Sequence, residues 1–452
     1  MTKIALRARL GDLGIHPSKM LGQNFLLDTN LARAIVADLS PREGDHLVEI
    51  GSGMGALTEH LCSSPATQIT LIERDYRLIA ELKERYESSR VRVIAGDAAK
   101  IDLRELYGNG SIKVIGNLPY SASTAIIEHF TKALSPASSL VFMLQLEVAE
   151  RLLASPGDKD YGALTLLLGR RWKVEKKRLV PPDVFWPRPR VHSAVVKITP
   201  RPIAEIQYCD ETIFCNLVRL GFSSRRKQLA SQLRMPASSW TEFTTNIGKK
   251  STIRAENLSL DDWASLTKFM TSPSSCSSKE FLDVVDENDQ VLSSQQREDV
   301  HVNKLMHRAI HLWIFNAQGE LFLQKRSYWK KYDPGLWCSS VAGHVMTGES
   351  YEEAAWRELE EELGIHIPLI PFHYLPASRS TSEEHVLCFL GKAEGPFHLQ
   401  AEEIETGAFF PIKVIKQWIA NAPQEQTPIF KMIARDFLDE SKIAALLKNE
   451  SN

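Results

Sequence analysis

The chain holds no Cys-x-x-Cys pair. Its six cysteines, Cys62, Cys209, Cys215, Cys276, Cys338 and Cys388, stand far apart, which speaks against a disulfide framework or a zinc ribbon and fits a reducing compartment. No run of about 18 apolar residues occurs, so no membrane-crossing helix is expected. The opening stretch MTKIALRARLGDLG lacks an apolar segment of signal-peptide length. These absences predict a soluble, cytoplasmic protein with no membrane partner. No internal repeat is visible either. What is present is enough apolar material, 43% of 452 residues, to fill the cores of about two to four domains.

A net charge of -2 hides a division. Residues 1–270 carry 37 basic and 29 acidic groups, whereas the remainder carries 17 and 27. Residues 151–234 alone hold 17 basic and 7 acidic groups, with KKR at 176–178, RPR at 188–190 and RRK at 225–227. Such a patch suits a phosphate backbone, and it nominates Arg225, Arg226 and Lys227 as RNA contacts. A solvated basic face is the plainer alternative until a motif supports the other.

The segment TSPSSCSS at 271–278 is small and polar, with nothing to pack, and reads as a flexible linker. Before it, short apolar runs at 46–50, 69–73, 91–95, 112–115 and 140–145 alternate with helical stretches, the rhythm of a parallel sheet covered by helices. From about residue 204, helix-like segments dominate (212–221, 225–233 and 260–270). After the linker, strand-like runs surround one strong helix over 351–363. The expected plan is an α/β domain over 1–203, a small helical appendage over 204–270, a linker over 271–279 and an α+β domain over 280–452.

Two motifs point to chemistry in the first half. VEIGSGMG at 48–55 places a glycine-rich turn after a strand, where the backbone can approach a nucleotide-like ligand closely. Gly51 and Gly53 are its key positions. Glu73 ends the next strand-like run, where an acid can bind ribose hydroxyls, and Asp97, after the third, can reach an adenine amino group. A dinucleotide oxidoreductase would share these features, so GNLPY at 116–120 discriminates. An exocyclic base amine is a poor nucleophile because its lone pair is delocalised into the ring. If the Asn117 side-chain oxygen and the Leu118 carbonyl accept its two hydrogens, the lone pair can turn toward an activated methyl group, with no general base needed. Positioning of this kind can supply about 7–11 kcal/mol. Tyr120 would stack on the base, and Pro119 restricts the backbone that aims the acceptors.

With LGQNFLLD at 21–28, VEIGSGMGALT at 48–58, GNLPY, VPPDVFWPRPRVHSAVVKI at 180–198, GFSSRRKQL at 221–229 and RAENLS at 254–259, residues 18–270 resemble the ribosomal RNA adenine N6-dimethyltransferases. The resemblance implies a Rossmann-like methyltransferase domain with a small helical RNA-binding subdomain. It implies S-adenosylmethionine as donor. The substrate would be two adjacent adenosines in a hairpin near the 3′ end of 16S rRNA in the immature small ribosomal subunit. By motif, Asn24, Leu26, Gly51, Gly53, Glu73, Asp97 and Asn117 would line the donor pocket. Asn117, Leu118 and Tyr120 would hold the target base, with Phe185 closing on its other face. Two departures are visible: Ser52 stands where proline is usual, and His192 where an acid is usual. A ribosome-assembly factor with an idle methyl-transfer site is the competing reading.

In the second half, Gly343, Glu349, Arg357, Glu358, Glu361 and Glu362 are set in GHVMTGESYEEAAWRELEEELGI. Glu358, Glu361 and Glu362 are spaced i, i+3, i+4 and share one helix face. Three like charges there are tolerable if a hard divalent cation such as Mg²⁺ neutralises them. The stretch matches the complete Nudix signature, Gx5Ex7REUxEExGU, within a resemblance over about 280–440. It implies hydrolysis of a diphosphate-containing small molecule, with Mg²⁺ held by Glu358, Glu361 and Glu362. Arg357 would orient a glutamate, Glu349 would support the loop or the metal shell, and Glu403 is a candidate base. LFLQKRS and PGLWCSSVAGH also resemble isopentenyl-diphosphate isomerase, the competing reading. That chemistry needs a protonating cysteine before the Gly-His pair, where this chain has Ala342. Cys338 is taken as a packing residue.

Overall fold

The computed structural model describes residues 3–17, 23–108, 110–207, 209–225, 227–270, 280–439 and 443. Its contacts divide the chain into two compact units, Met1–Thr271 and Ser272–Asn452. The expected linker at 271–279, Cys276, and Leu21 and Gly22 of the LGQNFLLD block lie outside the described residues. No described helix is long and apolar enough to cross a membrane.

The first unit contains β1 (Phe25–Leu26), β2 (Asp45–Ile50), β3 (Gln68–Glu73), β4 (Val91–Ala95), β5 (Ser111–Asn117), β6 (Ala137–Gln145), β7 (Trp172–Val180), β8 (Phe185–Trp186) and β9 (Ser193–Pro200). Seven of them form one sheet in the order β4-β3-β2-β5-β6-β9-β7. Pairing is parallel from β4 to β6, while β9 and β7 run antiparallel. Every residue of β2 is buried, as expected where helices cover both faces of a parallel sheet. Val48, Ile72, Val114 and Phe142 pack on one face, and Leu47, Leu71, Ile115 and Val141 on the other. Strand order reverses between β2 and β5. Loops leaving the carboxyl ends of these two strands therefore diverge and open a crevice.

Gly116 shows why the two strands can end side by side. A Cβ there would stand 2.7 Å from the Ile50 carbonyl oxygen and 3.0 Å from Leu118 Cδ2. The sheet thus runs further than the apolar runs at 112–115 and 140–145 indicate. β7, with the text WKVEKKRLV, has a largely exposed middle and carries no strong strand signal in sequence.

The appendage has helices at Glu211–Gly221, Leu229–Leu233, Ala237–Asn246 and Leu260–Met270. They enclose Phe214, Trp240, Phe243 and Trp263 together with Tyr161 and Leu166, so it shares a core with the preceding segment. The helix expected over 225–233 is a single turn at Leu229–Leu233. Side-chain bonds hold the chain before it in a turn instead: Ser223 Oγ donates to the Leu220 carbonyl at 2.7 Å, and Gln232 Nε2 to the Ser224 carbonyl at 2.9 Å.

The second unit contains β10 (Phe281–Val285), β11 (Val291–Gln296), β12 (His307–Phe315), β13 (Leu321–Arg326), β14 (Trp337–Cys338), β15 (Val341–His344), β16 (Ile370–Leu375), β17 (Glu384–Lys392) and β18 (Ile404–Phe410). β10 and β11 form a separate hairpin. The main sheet is mixed, ordered β14-β13-β12-β17-β16, with β15 on β12 and β18 on β13. The helix Tyr351–Leu363 buries Ala354, Ala355, Leu359 and Leu363 against Ile310, Leu312 and Val341. Its ends agree with the sequence reading. Ser350 and Glu353 form a capping box, and Gly364 ends the helix at φ 68°.

A Gly116→Ala substitution is expected to lower the stability of the first unit by about 1–3 kcal/mol, because the added methyl has no room between β2 and β5. Denaturant titration of the full chain checks this, and an unchanged midpoint would contradict it.

Candidate active sites

The crevice at the ends of β2 and β5 is a cavity of about 230 Å³. Asn24, Leu26, Gly51, Gly53, Glu73, Asp97, Asn117, Leu118 and Tyr120 all line it, so the structure brings together nearly every residue expected there. Gly51 and Gly53 have φ of 67° and 56°, left-handed values that glycine adopts without strain. Ser52 between them is buried and leaves the turn intact.

Glu73 is fixed by backbone alone. Its Oε2 accepts from Gly53 N at 2.9 Å, and its Oε1 from Arg74 N at 2.8 Å and Asp75 N at 2.9 Å. Burial still pushes its carboxyl above the usual range, against these three bonds. Asp97 is more open, capping its own turn through Ala99 N at 3.1 Å and pairing with Arg74 at 3.4 Å. Two carboxylates in the cavity wall can accept from ligand hydroxyl or amino groups.

Asn117 Nδ2 donates to the Asn24 carbonyl at 2.8 Å. The amide nitrogen is thus engaged, and the side-chain oxygen remains as an acceptor. Leu118 N donates to the Met143 carbonyl at 3.1 Å, and Ala122 N closes a turn onto Pro119 O at 3.0 Å. The Tyr120 hydroxyl lies 2.8 Å from Ser193 Oγ, which fixes its ring. Phe185 is placed differently from expectation. It is 3% exposed, packed with Leu26, Val36, Val180 and Val195, and absent from the cavity lining. In β8 it pairs with Leu26, so it backs the wall of the pocket. It does not face a base.

The basic patch is partly consumed by the fold. Arg170 pairs with Glu211 at 3.1 Å and is nearly fully buried, and Arg178 pairs with Asp38. Arg225 donates to the Tyr161 carbonyl at 2.7 Å and lies 3.5 Å from Glu256. Arg226 is outside the described residues. Lys227 is exposed.

Sequence reasoning assigned no role to Glu49. It is the penultimate residue of the buried β2, is 2% exposed and lines the cavity. Thr58 Oγ1 donates to it at 2.6 Å, yet burial raises its carboxyl to about 8, assisted by the charge of Glu73. The legible signal was a carboxylate at an inward strand position among apolar neighbours.

In the second unit, Arg357 organises the helix face. Its Nε and Nη2 donate to Glu349 at 2.7 and 3.0 Å, Nη2 also to the His344 carbonyl at 3.0 Å, and Nη1 to Glu358 at 2.8 Å. Glu361 is 3.4 Å away and half exposed. Burial opposes ionisation of Glu349, but Arg357 and the Met346 amide hold its carboxyl below the usual range. Burial pushes Glu358 upward, and burial together with the Glu358 charge raises Glu362 to about 8. Gly343 makes the cluster possible, since a Cβ there would lie 2.2 Å from Glu358 Cδ. A buried Glu362 and a partly buried Glu358, with the half-exposed Glu361 on the same helix face, fit a site for a divalent cation. Lys330 sits beside this cluster and pairs with Glu403. Burial lowers its ammonium to about 8. Cys338 is 1% exposed and accepts from Thr427 Oγ1 at 3.5 Å, a packing environment.

A family model described as ribosomal RNA adenine dimethylase matches residues 16–272, and one described as NUDIX domain matches residues 305–432. Ribosomal RNA small subunit methyltransferase A of Thiobacillus denitrificans is 38% identical over 256 residues, spanning 57% of this chain and 98% of that protein. Among solved structures, a dimethyladenosine transferase from Plasmodium falciparum is 26% identical with a TM-score of 0.45, covering 54% of this chain and 95% of its own. A MutT protein from Methanosarcina mazei is 22% identical with a TM-score of 0.21, covering 28% of this chain and 93% of its own.

Folded Glu49 keeps its proton up to about pH 8, whereas a solvated glutamate releases it near 4.5. Between these values the folded protein binds the extra proton, so this group's contribution to stability falls as pH rises through the window. Glu49→Gln is expected to flatten that fall and to stabilise the first unit by several kcal/mol at pH 8 relative to wild type. Urea titrations from pH 5 to 8 check this, and parallel pH profiles for the two proteins would contradict it.

Proposed function

The chain belongs to the ribosomal RNA adenine dimethylase family, and from that premise we propose that its first unit transfers methyl groups from S-adenosylmethionine to N6 of two adjacent adenosines. These lie in a hairpin near the 3′ end of 16S rRNA, within the immature small ribosomal subunit in the cytoplasm. The bond from Asn117 Nδ2 to the Asn24 carbonyl carries the reading, because it leaves an oxygen as the acceptor at the end of β5. S-adenosylmethionine, when bound, supplies a methyl group already activated on a sulfonium. Glu73 would receive the ribose, Asp97 the adenine, and Asn24, Leu26, Gly51 and Gly53 the rest of the donor.

The remaining work belongs to the acceptor. Asn117 Oδ1 and the Leu118 carbonyl accept the two amine hydrogens and turn the nitrogen lone pair away from the ring. The proton is released to solvent after transfer. Tyr120 stacks on the base, an interaction worth about 1–3 kcal/mol against the cost of taking it out of its stack. Lys227 and its basic neighbours hold the backbone.

The second unit hydrolyses a diphosphate-containing small molecule. Glu358, Glu361 and Glu362 would hold Mg²⁺, which supplies charge neutralisation at phosphate and lowers the pKa of bound water. Arg357 fixes Glu349 and the loop after Gly343. Glu403, with Lys330 beside it, stands as the candidate base. Isomerase chemistry is disfavoured because Ala342 occupies the position that needs an acid and Cys338 is sealed in the core.

Two measurements test this. On immature small subunits, wild type is expected to yield dimethyladenosine by mass spectrometry, and Asn117→Ala to lose at least about 100-fold in rate with RNA binding retained. Equal binding with no wild-type methylation would favour the assembly-factor reading. For the second unit, Mg²⁺-dependent phosphate release from a panel of diphosphates is expected, falling at least tenfold in Glu361→Gln. No turnover on any panel member would reject hydrolysis.

A further inference from the structure

Strand β13 reads LFLQKR, and in its buried stretch, residues 321–324, the polar side chain is Gln324. Alternation along a strand sends Phe322 and Gln324 to the same face, and Phe322 packs with Ala355, Leu359 and Leu363 of the carboxylate helix. Gln324 is thereby carried to the underside of that helix. It is 2% exposed, and its Nε2 donates to Glu362 Oε2 at 3.1 Å. Its backbone lies opposite Cys338 of β14 on one edge and Gly407 of β18 on the other, so the sheet, not a loop, delivers the side chain.

The other end of the amide distinguishes this residue from packing. Among the described residues no donor reaches Gln324 Oε1, although the atom is buried. A buried acceptor left alone costs stability, and an apolar side chain of the same size would fill the space without that cost. The amide cannot escape by turning round. A carboxylate that binds a cation is ionised and only accepts, so Nε2 must face Glu362 and Oε1 must face away from it. Lys330, whose charge also acts on Glu362, pairs with Glu403 instead. Arg357 orders Glu349 and Glu358 from the loop side of the helix. Glu362 stands one turn further on, and Gln324 holds it from the sheet side.

We propose that Gln324 is a positioning residue for the divalent cation of the second unit: its N–H fixes Glu362 through Oε2 and leaves Oε1 for the ion, while its own carbonyl oxygen accepts from a water that the ion retains. The inference rests on the reading of Glu358, Glu361 and Glu362 as the Mg²⁺ site. Mg²⁺ keeps several waters when bound, and each is a donor that an acceptor of this kind can use. Side chains that orient metal ligands change metal affinity by about 10–100-fold when they are removed. Gln324 thus lowers the stability of the metal-free protein and raises its affinity for the ion.

The test uses the full chain, freed of metal with chelator, titrated with Mg²⁺ by calorimetry and melted with and without it. Gln324→Leu and Gln324→Met, which nearly keep the volume, are expected to bind Mg²⁺ at least about tenfold more weakly than wild type. Without metal they should melt no lower than wild type, and the rise in melting temperature that Mg²⁺ gives should largely disappear. Glu361→Gln marks the binding that belongs to the helix. If wild type binds no Mg²⁺, or Glu361→Gln binds it as tightly as wild type, the carboxylate site itself falls and this proposal with it. Weak binding in Glu361→Gln beside wild-type affinity in both Gln324 variants overturns this proposal alone. Metal-free melting well below wild type in both Gln324 variants also overturns it, because the amide would then serve the fold and not the ion.

Discussion

The hydrogen bond from Asn117 to the Asn24 carbonyl is the interaction on which the first site depends. It spans 93 positions of sequence and fixes which end of a symmetric-looking amide faces the cavity. An amide turned the other way would present a donor to an amine that already carries hydrogens. The bond is possible because β5 ends beside β2, which Gly116 permits by lacking a side chain against the Ile50 carbonyl. Strand order, glycine placement and amide orientation form one chain of causes.

The two units handle buried acids by different means. Glu73 is held by three backbone amides, and Glu49 by a threonine hydroxyl, while burial keeps Glu49 protonated near neutrality. Both therefore remain rigid without a counter-ion. In the second unit, burial pushes both Glu358 and Glu362 up, with Glu361 adding to the first and Glu358 to the second, and Arg357 and Lys330 as partial compensation. A divalent cation would relieve that repulsion, and Gly343 leaves the Glu358 side chain the space it occupies.

Much of this was legible in sequence. The alternation of apolar runs gave the parallel core, and the i, i+3, i+4 glutamates with framing glycines gave the second helix to the residue. Positions after β2 and β5 were legible because turn chemistry there is local. What escaped depended on contacts distant in sequence. Phe185 in PPDVFWP reads as an exposed ring on a rigid loop, but pairing with Leu26 turns it into the core. The turn at 223–228 hides in text that favours a helix.

The most direct test of the central claim is a crystal structure of the protein with S-adenosylhomocysteine. The account predicts the ligand ribose at Glu73, its adenine at Asp97, its sulfur near Asn117, and the Asn117 nitrogen still bound to the Asn24 carbonyl. A ligand lodged elsewhere, or an Asn117 side chain with its oxygen turned out of the pocket, would contradict it.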